Sequence, residues 1–129
     1  ASAGTAANIK FLKEHNMCQE ALRKGKIMEE KLKALWKQFP ERISYVSGIG
    51  MAWAVTFAEA DTHAIHPEFA LEVTKKCNAN GLTFFAAVGA GITMKLTPPL
   101  TIPDDALIEG LEAYATAVAE ADAIMPAYK

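Results

Sequence analysis

Between Met51 and Phe57 the sequence reads Met-Ala-Trp-Ala-Val-Thr-Phe, so that large apolar residues alternate with small ones. Successive side chains of a β-strand point to opposite faces of a sheet. The alternation therefore predicts a strand over residues 51–57 with one large-residue face and one small-residue face. The preceding residues Ser47-Gly48-Ile49-Gly50 are typical of a turn, and we expect them to lead into this strand.

Two helices are predicted before this strand. Residues 1–13 are rich in alanine, which is the strongest helix former. Residues 17–39 place apolar side chains at the spacing of one helical face, namely Met28, Leu32, Leu35, Trp36 and Phe39. Pro40 is expected to end the second helix because its ring disfavours helical geometry in the residue before it.

After the strand, residues 58–66 are predicted to form a loop, and Pro67 suits the first turn of a third helix. That helix is expected to end at Asn80-Gly81 and to bury a stripe formed by Phe69, Ala70, Val73 and Cys77. Two further strands are predicted over residues 82–86 and 92–96, joined by a turn around Gly89 and Gly91.

A last helix is predicted after residues 101–104, Thr-Ile-Pro-Asp, where Thr101 would be the N-cap with an acidic residue three positions on. Its buried face would consist of Leu107, Leu111, Tyr114 and Val118. Residues 124–129 are predicted to be a frayed tail. No repeat or linker divides residues 1–129, so we predict one domain of the α+β class (a two-layer α/β arrangement), with a small, mostly antiparallel sheet of about three strands covered by helices.

The composition excludes several classes of protein. The 129 residues are 51% hydrophobic and 22% charged, which excludes a disordered or collagen-like chain. The net charge of −2 gives no basic excess for binding nucleic acid or an anionic membrane. No apolar run approaches the ~20 residues that cross a bilayer, and no signal peptide is seen. With two cysteines and no disulfide framework, a cytoplasmic location is expected, one structural disulfide being the minor alternative.

Catalytic and metal-binding patterns are weak. His63 and His66 are three residues apart, with Asp61 and Glu59 as the companions nearby, but solvent-exposed loop residues are favoured over a metal site. Cys77 falls on a buried helix face, which favours a core thiol over a nucleophile. The glycine pairs at residues 48 and 50 and at residues 89 and 91 do not open a helix directly after a strand, so turn glycines are favoured over a dinucleotide motif. No catalytic residue, metal ligand or coenzyme-binding residue is therefore predicted within this chain.

Lys95 is the one candidate binding residue. In the strand over residues 92–96, Ile92, Met94 and Leu96 would face one side, so Lys95 would face the other with Thr93 and Thr97. The rigid pair Pro98-Pro99 follows and stops the strand. A cation held there could anchor a carboxylate or a phosphate. The alternative is an edge-strand lysine that discourages sheet aggregation, and the local pattern alone favours that alternative.

Residues 95–102, Lys-Leu-Thr-Pro-Pro-Leu-Thr-Ile, resemble the R-L-x-P-P-L-x-I signature near the C-terminus of class III aminotransferases. These are pyridoxal-phosphate enzymes of the ornithine, 4-aminobutyrate and omega-amino-acid transaminase type. Residues 47–51 resemble the family's R-G-x-G-[LM] turn, and residues 72–81, ahead of Leu82, resemble its helix ending in x-x-x-G-[LV]. Residues 1–7 resemble the alanine-rich helix that follows the family's G-N-P segment, so the resemblance covers essentially the whole chain.

The resemblance implies that this chain is the C-terminal small domain of a fold type I pyridoxal-phosphate enzyme. Such an enzyme transfers an amino group between an amine or amino acid and a keto acid, and is expected to be a homodimer. The coenzyme is bound mainly by a large upstream domain that this sequence lacks, and residues 1–15 would be the connecting helix. A first residue that is Ala1 rather than Met agrees with a chain cut from something larger. The isolated chain is therefore expected to be inactive.

The resemblance also implies a role for Lys95. The family arginine at this point of the signature typically pairs with a substrate carboxylate or with a gating glutamate, so Lys95 is the implied substrate-binding residue. Lysine is a compact point charge, whereas arginine is a planar two-pronged donor. Ser47 likewise replaces a basic residue often found before the glycine turn. Two alternatives stay open: a free-standing, non-catalytic domain that binds a small ligand or a protein, and the family fold with racemisation or aminomutation as its reaction.

Overall fold

The structure, a computed structural model, describes residues 2–59, 64–84 and 93–126. This part of the chain forms four helices and three strands. In chain order they are α1 Ser2–Glu14, α2 Met17–Gln38, β1 Ile43–Ile49, β2 Ala52–Phe57, α3 Pro67–Ala79, β3 Thr93–Leu96 and α4 Asp104–Ile124. The predicted α+β class with a small antiparallel sheet is confirmed, as are the four helices to within a residue or two at most ends.

The three strands form one antiparallel sheet in the order β1-β2-β3. Val46 pairs with Val55 and Val55 with Met94, so one row of side chains crosses all three strands on the same face. We call this the inner face; its large side chains, Val46, Trp53, Val55, Met94 and Leu96, are buried, and α2, α3 and α4 supply the other side of the core. Most of the helix residues predicted to be buried are confirmed there, namely Met28, Leu32, Leu35, Phe69, Ala70, Val73, Cys77, Leu107, Leu111, Tyr114 and Val118. Trp36 and Phe39, predicted on the same face of α2, are only partly buried and pack against this core.

Strand β1 was not expected from the sequence. Residues 47–49, predicted to be part of a turn, are the last residues of β1, and the turn to β2 lies at Gly50 and Met51. The register shifts between Ile43 and Tyr45, so Ile43 and Val46 are both buried although they are three residues apart. An irregularity of this kind removes the two-residue period by which a strand is recognised.

The strand predicted over residues 82–86 is wrong for residues 82–84, and residues 85 and 86 lie outside the described residues. After α3 the chain forms a Schellman motif. Gly81 has a φ of 80° and donates its N–H to the Asn78 carbonyl, while the Leu82 N–H donates to Cys77 O at 2.8 Å. The predicted helix stop at Asn80-Gly81 is thus confirmed, and Leu82 is bonded back to the helix instead of to a strand. The predicted turn at residues 89 and 91 also lies outside the described residues.

Helix α4 begins later than the capping pattern predicted. Its N-cap is Pro103, which makes no side-chain capping bond, and its first residue is Asp104. Thr101 as N-cap is therefore wrong. The reason is Pro103 itself, because a proline disfavours helical geometry in the residue before it, here Ile102. Ile102 instead donates its N–H to the Pro99 carbonyl at 3.0 Å and closes a turn.

The organisation of residues 1–129 as one domain, the connecting role of residues 1–15 and the fraying of residues 124–129 stay predictions. Ala1 and residues 127–129 lie outside the described part of the chain. Among the helices that the structure describes, none is long and apolar enough to cross a membrane.

Candidate functional site

Lys95 lies on the face of the sheet opposite the core. Its neighbours Met94 and Leu96 are buried, whereas Lys95 is exposed, so the predicted alternation is confirmed. Ala54 pairs with Lys95 on one side and with Ser47 on the other. These three residues therefore form one row across the face turned away from the core, which we call the outer face. The two positions at which this chain departs from the aminotransferase pattern, residues 47 and 95, thus share a row.

Hydroxyl groups flank this row. Thr56 and Thr93 lie on the outer face beside it, and their Oγ1 atoms are 3.1 Å apart. No hydrogen-bond or ion-pair partner of the Lys95 ammonium is found among the described residues.

A cavity of about 590 Å³ opens beside Lys95, between β3 and α4. Its described lining residues include four polar ones, Thr83, Thr93, Lys95 and Thr97, and several apolar ones, including Leu82, Phe84, Pro99 and Leu107. No carboxylate stands among those lining residues. Sites for small molecules are typically apolar with a few polar groups that fix the orientation of the ligand. Lys95 is the one charged residue among the described lining residues of this cavity.

The segment that follows Lys95 is held by Lys24 of α2. The Lys24 ammonium donates to the Leu100 carbonyl at 2.9 Å and to the Ile102 carbonyl at 2.7 Å, and the residue is only 5% exposed. Sequence reasoning missed this residue. The burial of Lys24 could have been predicted, because it lies four residues before Met28 and eight before Leu32 and so continues their buried face.

The neighbouring Arg23 holds the start of α4. Its guanidinium makes two hydrogen bonds to the Asp104 carboxylate, at 2.7 and 2.8 Å, and bonds Glu20 at 2.9 Å. The hydrogen bond from Arg23 holds the pKa of the Asp104 carboxyl below its ordinary value, and lowers that of Glu20 likewise. Ionised Asp104 also suits the first turn of a helix, where the backbone dipole favours negative charge.

Arg42 is a second buried cation that the sequence did not reveal. It is 4% exposed and donates to Asp122 at 2.6 Å and to the carbonyls of Met125 and Pro126. Its guanidinium also lies 4.7 Å from the centre of the Phe69 ring. Arg42 therefore links the end of α4 to the start of β1, and these contacts involve no residue of the outer face.

The weaker candidates are placed as follows. His63 and Asp61 lie outside the described residues, and no group of three or more His, Cys, Asp or Glu side chains that could hold a metal ion occurs in the described part of the chain. Burial raises the pKa of the Cys77 thiol to about 12, which fits a core thiol. Gly50 is a turn residue with a φ of 55°, whereas Gly48 lies within β1, where a Cβ would collide with the Trp53 ring.

The cavity beside Lys95 does not by itself offer the groups that hold pyridoxal phosphate. That coenzyme requires a lysine for its imine and an acidic or basic partner for its pyridine nitrogen. The cavity beside Lys95 offers one lysine, on an exposed strand, and no carboxylate among its described lining residues. A coenzyme site would have to be built by groups outside this set.

The fold is that of transaminases. It matches a transaminase from the marine bacterium Virgibacillus with a TM-score of 0.80 at 20% identity, covering 92% of this chain and 28% of that one. It matches a phospholyase from Arthrobacter, solved in complex with phosphoethanolamine, with a TM-score of 0.82 at 17% identity, covering 97% of this chain and 29% of that one.

The sequence model of the family "Aminotransferase class-III" matches residues 1–118, and the chain belongs to that family. A 4-aminobutyrate aminotransferase of Mycobacterium leprae is 30% identical over 112 residues, which are 87% of this chain and 25% of the relative. A mitochondrial acetylornithine aminotransferase of Saccharomyces cerevisiae is 28% identical over 114 residues, which are 88% of this chain and 23% of the relative. The chain thus spans about a quarter of the length of these relatives.

Proposed function

We propose that this chain serves as the C-terminal, small-domain part of a pyridoxal-phosphate-dependent aminotransferase. The enzyme would transfer an amino group between an amine or amino acid and a keto acid. Membership of the class III family supports this proposal over a non-catalytic binding module, and class III enzymes generally use this coenzyme. A large coenzyme-binding domain, a homodimeric assembly and a cytoplasmic location belong to the same proposal.

In this proposal the chemistry comes from the coenzyme, which acts as an electron sink for the substrate carbanion. The part contributed by this chain is recognition of the substrate. Lys95 would donate a charge-assisted hydrogen bond to a substrate carboxylate, and the apolar wall of the adjacent cavity would contact the substrate body. The observation that carries this role is an exposed lysine, without a partner among the described residues, that lines a cavity with mainly apolar walls.

The strength of such a contact sets the size of the expected effect. A hydrogen bond to a charged group contributes about 1.5–3 kcal/mol, which corresponds to roughly tenfold to a hundredfold in affinity. Lysine reaches a carboxylate as a point charge, so the contact fixes position less tightly than a two-pronged arginine would. Recognition of a carboxylate is therefore expected to survive the departure from arginine.

The test uses Lys95→Met and Lys95→Arg in the full-length protein, assayed with a keto acid and with an uncharged aldehyde as amino acceptors. Lys95→Met keeps the length of the side chain and removes its charge, so the KM for the keto acid should rise roughly tenfold to a hundredfold while the aldehyde is nearly unaffected. Lys95→Arg should retain most of the recognition. Lys26→Met, at an exposed lysine of α2, is the matched control and should change neither acceptor.

Two results would contradict the proposed role. If Lys95→Met loses equally on both acceptors, or on neither, then Lys95 does not recognise a carboxylate and is an edge-strand lysine. If the full-length protein transfers no amino group from any amine or amino acid in the presence of pyridoxal phosphate, the proposed activity itself fails.

A further inference from the structure

Three consecutive residues of α2 each contact a different element near Lys95. Arg23 bonds Asp104 at the start of α4, and Lys24 bonds the carbonyls of Leu100 and Ile102. Gly25 lies against the turn between β1 and β2. The middle contact is the one that bears directly on the segment following Lys95.

Lys24 is a buried cation held by backbone carbonyls. A charged ammonium taken out of water is costly unless hydrogen bonds replace its hydration, and here two carbonyl oxygens do so at 2.9 and 2.7 Å. The charges of Asp104 and Glu20 are also near, since the Lys24 charge contributes to lowering the pKa of both carboxyls. Because the Lys24 side chain would lose these bonds if the carbonyls moved, it resists displacement of residues 100–102.

Few freely rotating bonds lie between that anchored segment and Lys95. Pro98 and Pro99 have their φ angles fixed by their rings, and the Ile102 N–H bonds the Pro99 carbonyl at 3.0 Å. Between Lys95 and these prolines, Leu96 is buried in the core and pairs with Trp53. A shift of the Leu100 and Ile102 carbonyls would therefore act on the end of β3 through Thr97 and the two prolines, whose φ angles cannot adjust.

We infer that Lys24 is a positioning residue for Lys95: its two carbonyl bonds fix the segment 98–102 against α2 and thereby set where the Lys95 ammonium stands on the outer face. The inference rests on the proposed function in so far as Lys95 binds substrate. Arg23 is the weaker support, because its pair with Asp104 is about half exposed on both sides, and exposed ion pairs contribute little.

The first measurement is amide hydrogen exchange on the full-length protein. Lys24→Met keeps the length of the side chain and removes both carbonyl bonds. We expect exchange of the Ile102 amide, whose N–H donates to the Pro99 carbonyl, to accelerate at least tenfold, with no change in the second half of α4, for example at Val118. Lys26→Met is the control and should leave both regions unchanged. Unchanged exchange at Ile102 in Lys24→Met would overturn the anchoring contact, whatever the enzyme does.

The second measurement is kinetic and separates positioning from plain stability. Lys24→Met should raise the KM for a keto acid about fivefold or more relative to that for an uncharged aldehyde, with kcat for the aldehyde retained. The double variant with Lys95→Met should lose no more discrimination than Lys95→Met alone, because both changes remove one interaction. Additive losses, or a loss in kcat for both acceptors alike, would overturn the positioning role.

The outcomes distinguish this inference from the proposed function. If Lys95→Met leaves discrimination unchanged, the substrate-binding role of Lys95 fails and the positioning role fails with it, while the exchange data still decide whether Lys24 anchors the segment. If Lys95→Met abolishes the discrimination between keto acid and aldehyde and Lys24→Met leaves it unchanged, only the positioning role is overturned. Should Lys24→Met not fold, Lys24→Gln offers a neutral amide donor on a shorter side chain and should show the same changes at reduced size. Exchange and discrimination equal to those of the unsubstituted protein in Lys24→Gln would contradict the inference.

Discussion

Gly25 in α2 lies directly against Gly50 in the turn between β1 and β2. A Cβ on Gly25 would come within 2.6 Å of both the Cα and the carbonyl oxygen of Gly50. The turn cannot easily move away from α2, because the Trp53 indole N–H donates to the same carbonyl at 2.8 Å and the indole ring is buried in the core. The close approach of this helix to this turn therefore depends on the absence of a side chain at residue 25.

Gly25→Ala is accordingly expected to destabilise the protein although alanine is the better helix former. Forcing a methyl group into a contact made by backbone atoms costs about 1–3 kcal/mol, which exceeds the gain of about 0.5–1 kcal/mol from helix propensity. Urea unfolding measures the difference. The matched control is Gly110→Ala in α4, where a Cβ meets only the Leu82 Cδ1 atom at 3.8 Å. That variant should be neutral or more stable, and a Gly25→Ala protein of equal stability would refute the close contact.

Arg42→Met should cause one of the larger losses of stability in this chain. The change removes the pair with Asp122 and the bonds to the carbonyls of Met125 and Pro126, which cover the end of α4. Since Arg42 is buried while Asp122 is partly exposed and can be rehydrated, we expect a loss of about 2–4 kcal/mol in the free energy of unfolding.

Lys31→Met is the control for Arg42→Met. It breaks an ion pair with Glu112 in which both side chains are exposed, so the change should be within about 0.5 kcal/mol. Equal effects of the two variants in urea unfolding would show that burial does not distinguish these cations.

The stability of the fold should fall in alkaline solution through Cys77. Burial raises the pKa of its thiol to about 12, against about 8.5 for a thiol in an unfolded chain. The folded state therefore keeps the proton more tightly than the unfolded state does. Stability is fully present below about pH 8.5 and is lost progressively as the pH rises towards 12. Tyr114, whose pKa burial also raises, adds a loss of the same sign at higher pH.

Urea unfolding at about pH 7 and about pH 9 isolates the Cys77 contribution, because an unfolded thiol ionises near pH 8.5 whereas an unfolded tyrosine ionises only near pH 10. Cys77→Ala creates a small cavity and should be less stable at both pH values. Its stability should nevertheless change less between them than that of the unsubstituted protein. Identical pH dependence in the two proteins would rule out Cys77 as the titrating group.

The sequence predicted those elements whose hydrophobic period is regular. The alternation in β2 and in β3 placed Lys95 correctly on the face away from the core. Strand β1 was not predicted, because its register shift puts Ile43 and Val46 on the same side and so interrupts the two-residue period. Residues 82–84 were wrongly predicted as part of a strand, because a short apolar run suits either a strand or a segment packed on the end of a helix. The Schellman hydrogen bond from the Leu82 N–H shows that it is the second.

The surroundings of Lys95 were less predictable than its orientation. Lys24 could have been recognised as buried from its spacing with Met28, but its acceptors lie 76 and 78 residues further along the chain. No local pattern identifies such partners, because they depend on how α2 packs against the segment before α4. The same holds for Arg42 and Asp122, which are 80 residues apart.

The last prediction concerns the 129-residue chain on its own, which should bind pyridoxal phosphate weakly and should catalyse no transamination. The cavity beside Lys95 has no carboxylate among its described lining residues to pair with the coenzyme's ring nitrogen. An imine formed at an exposed lysine such as Lys95 or Lys26 would gain no further contacts, so reaction should be spread over several lysines. Titration with the coenzyme should give no saturable absorption band of stoichiometric size, and borohydride reduction followed by peptide mapping should label several sites at low yield. A single lysine labelled stoichiometrically would contradict this prediction, because a shaped coenzyme site would then exist within the chain itself.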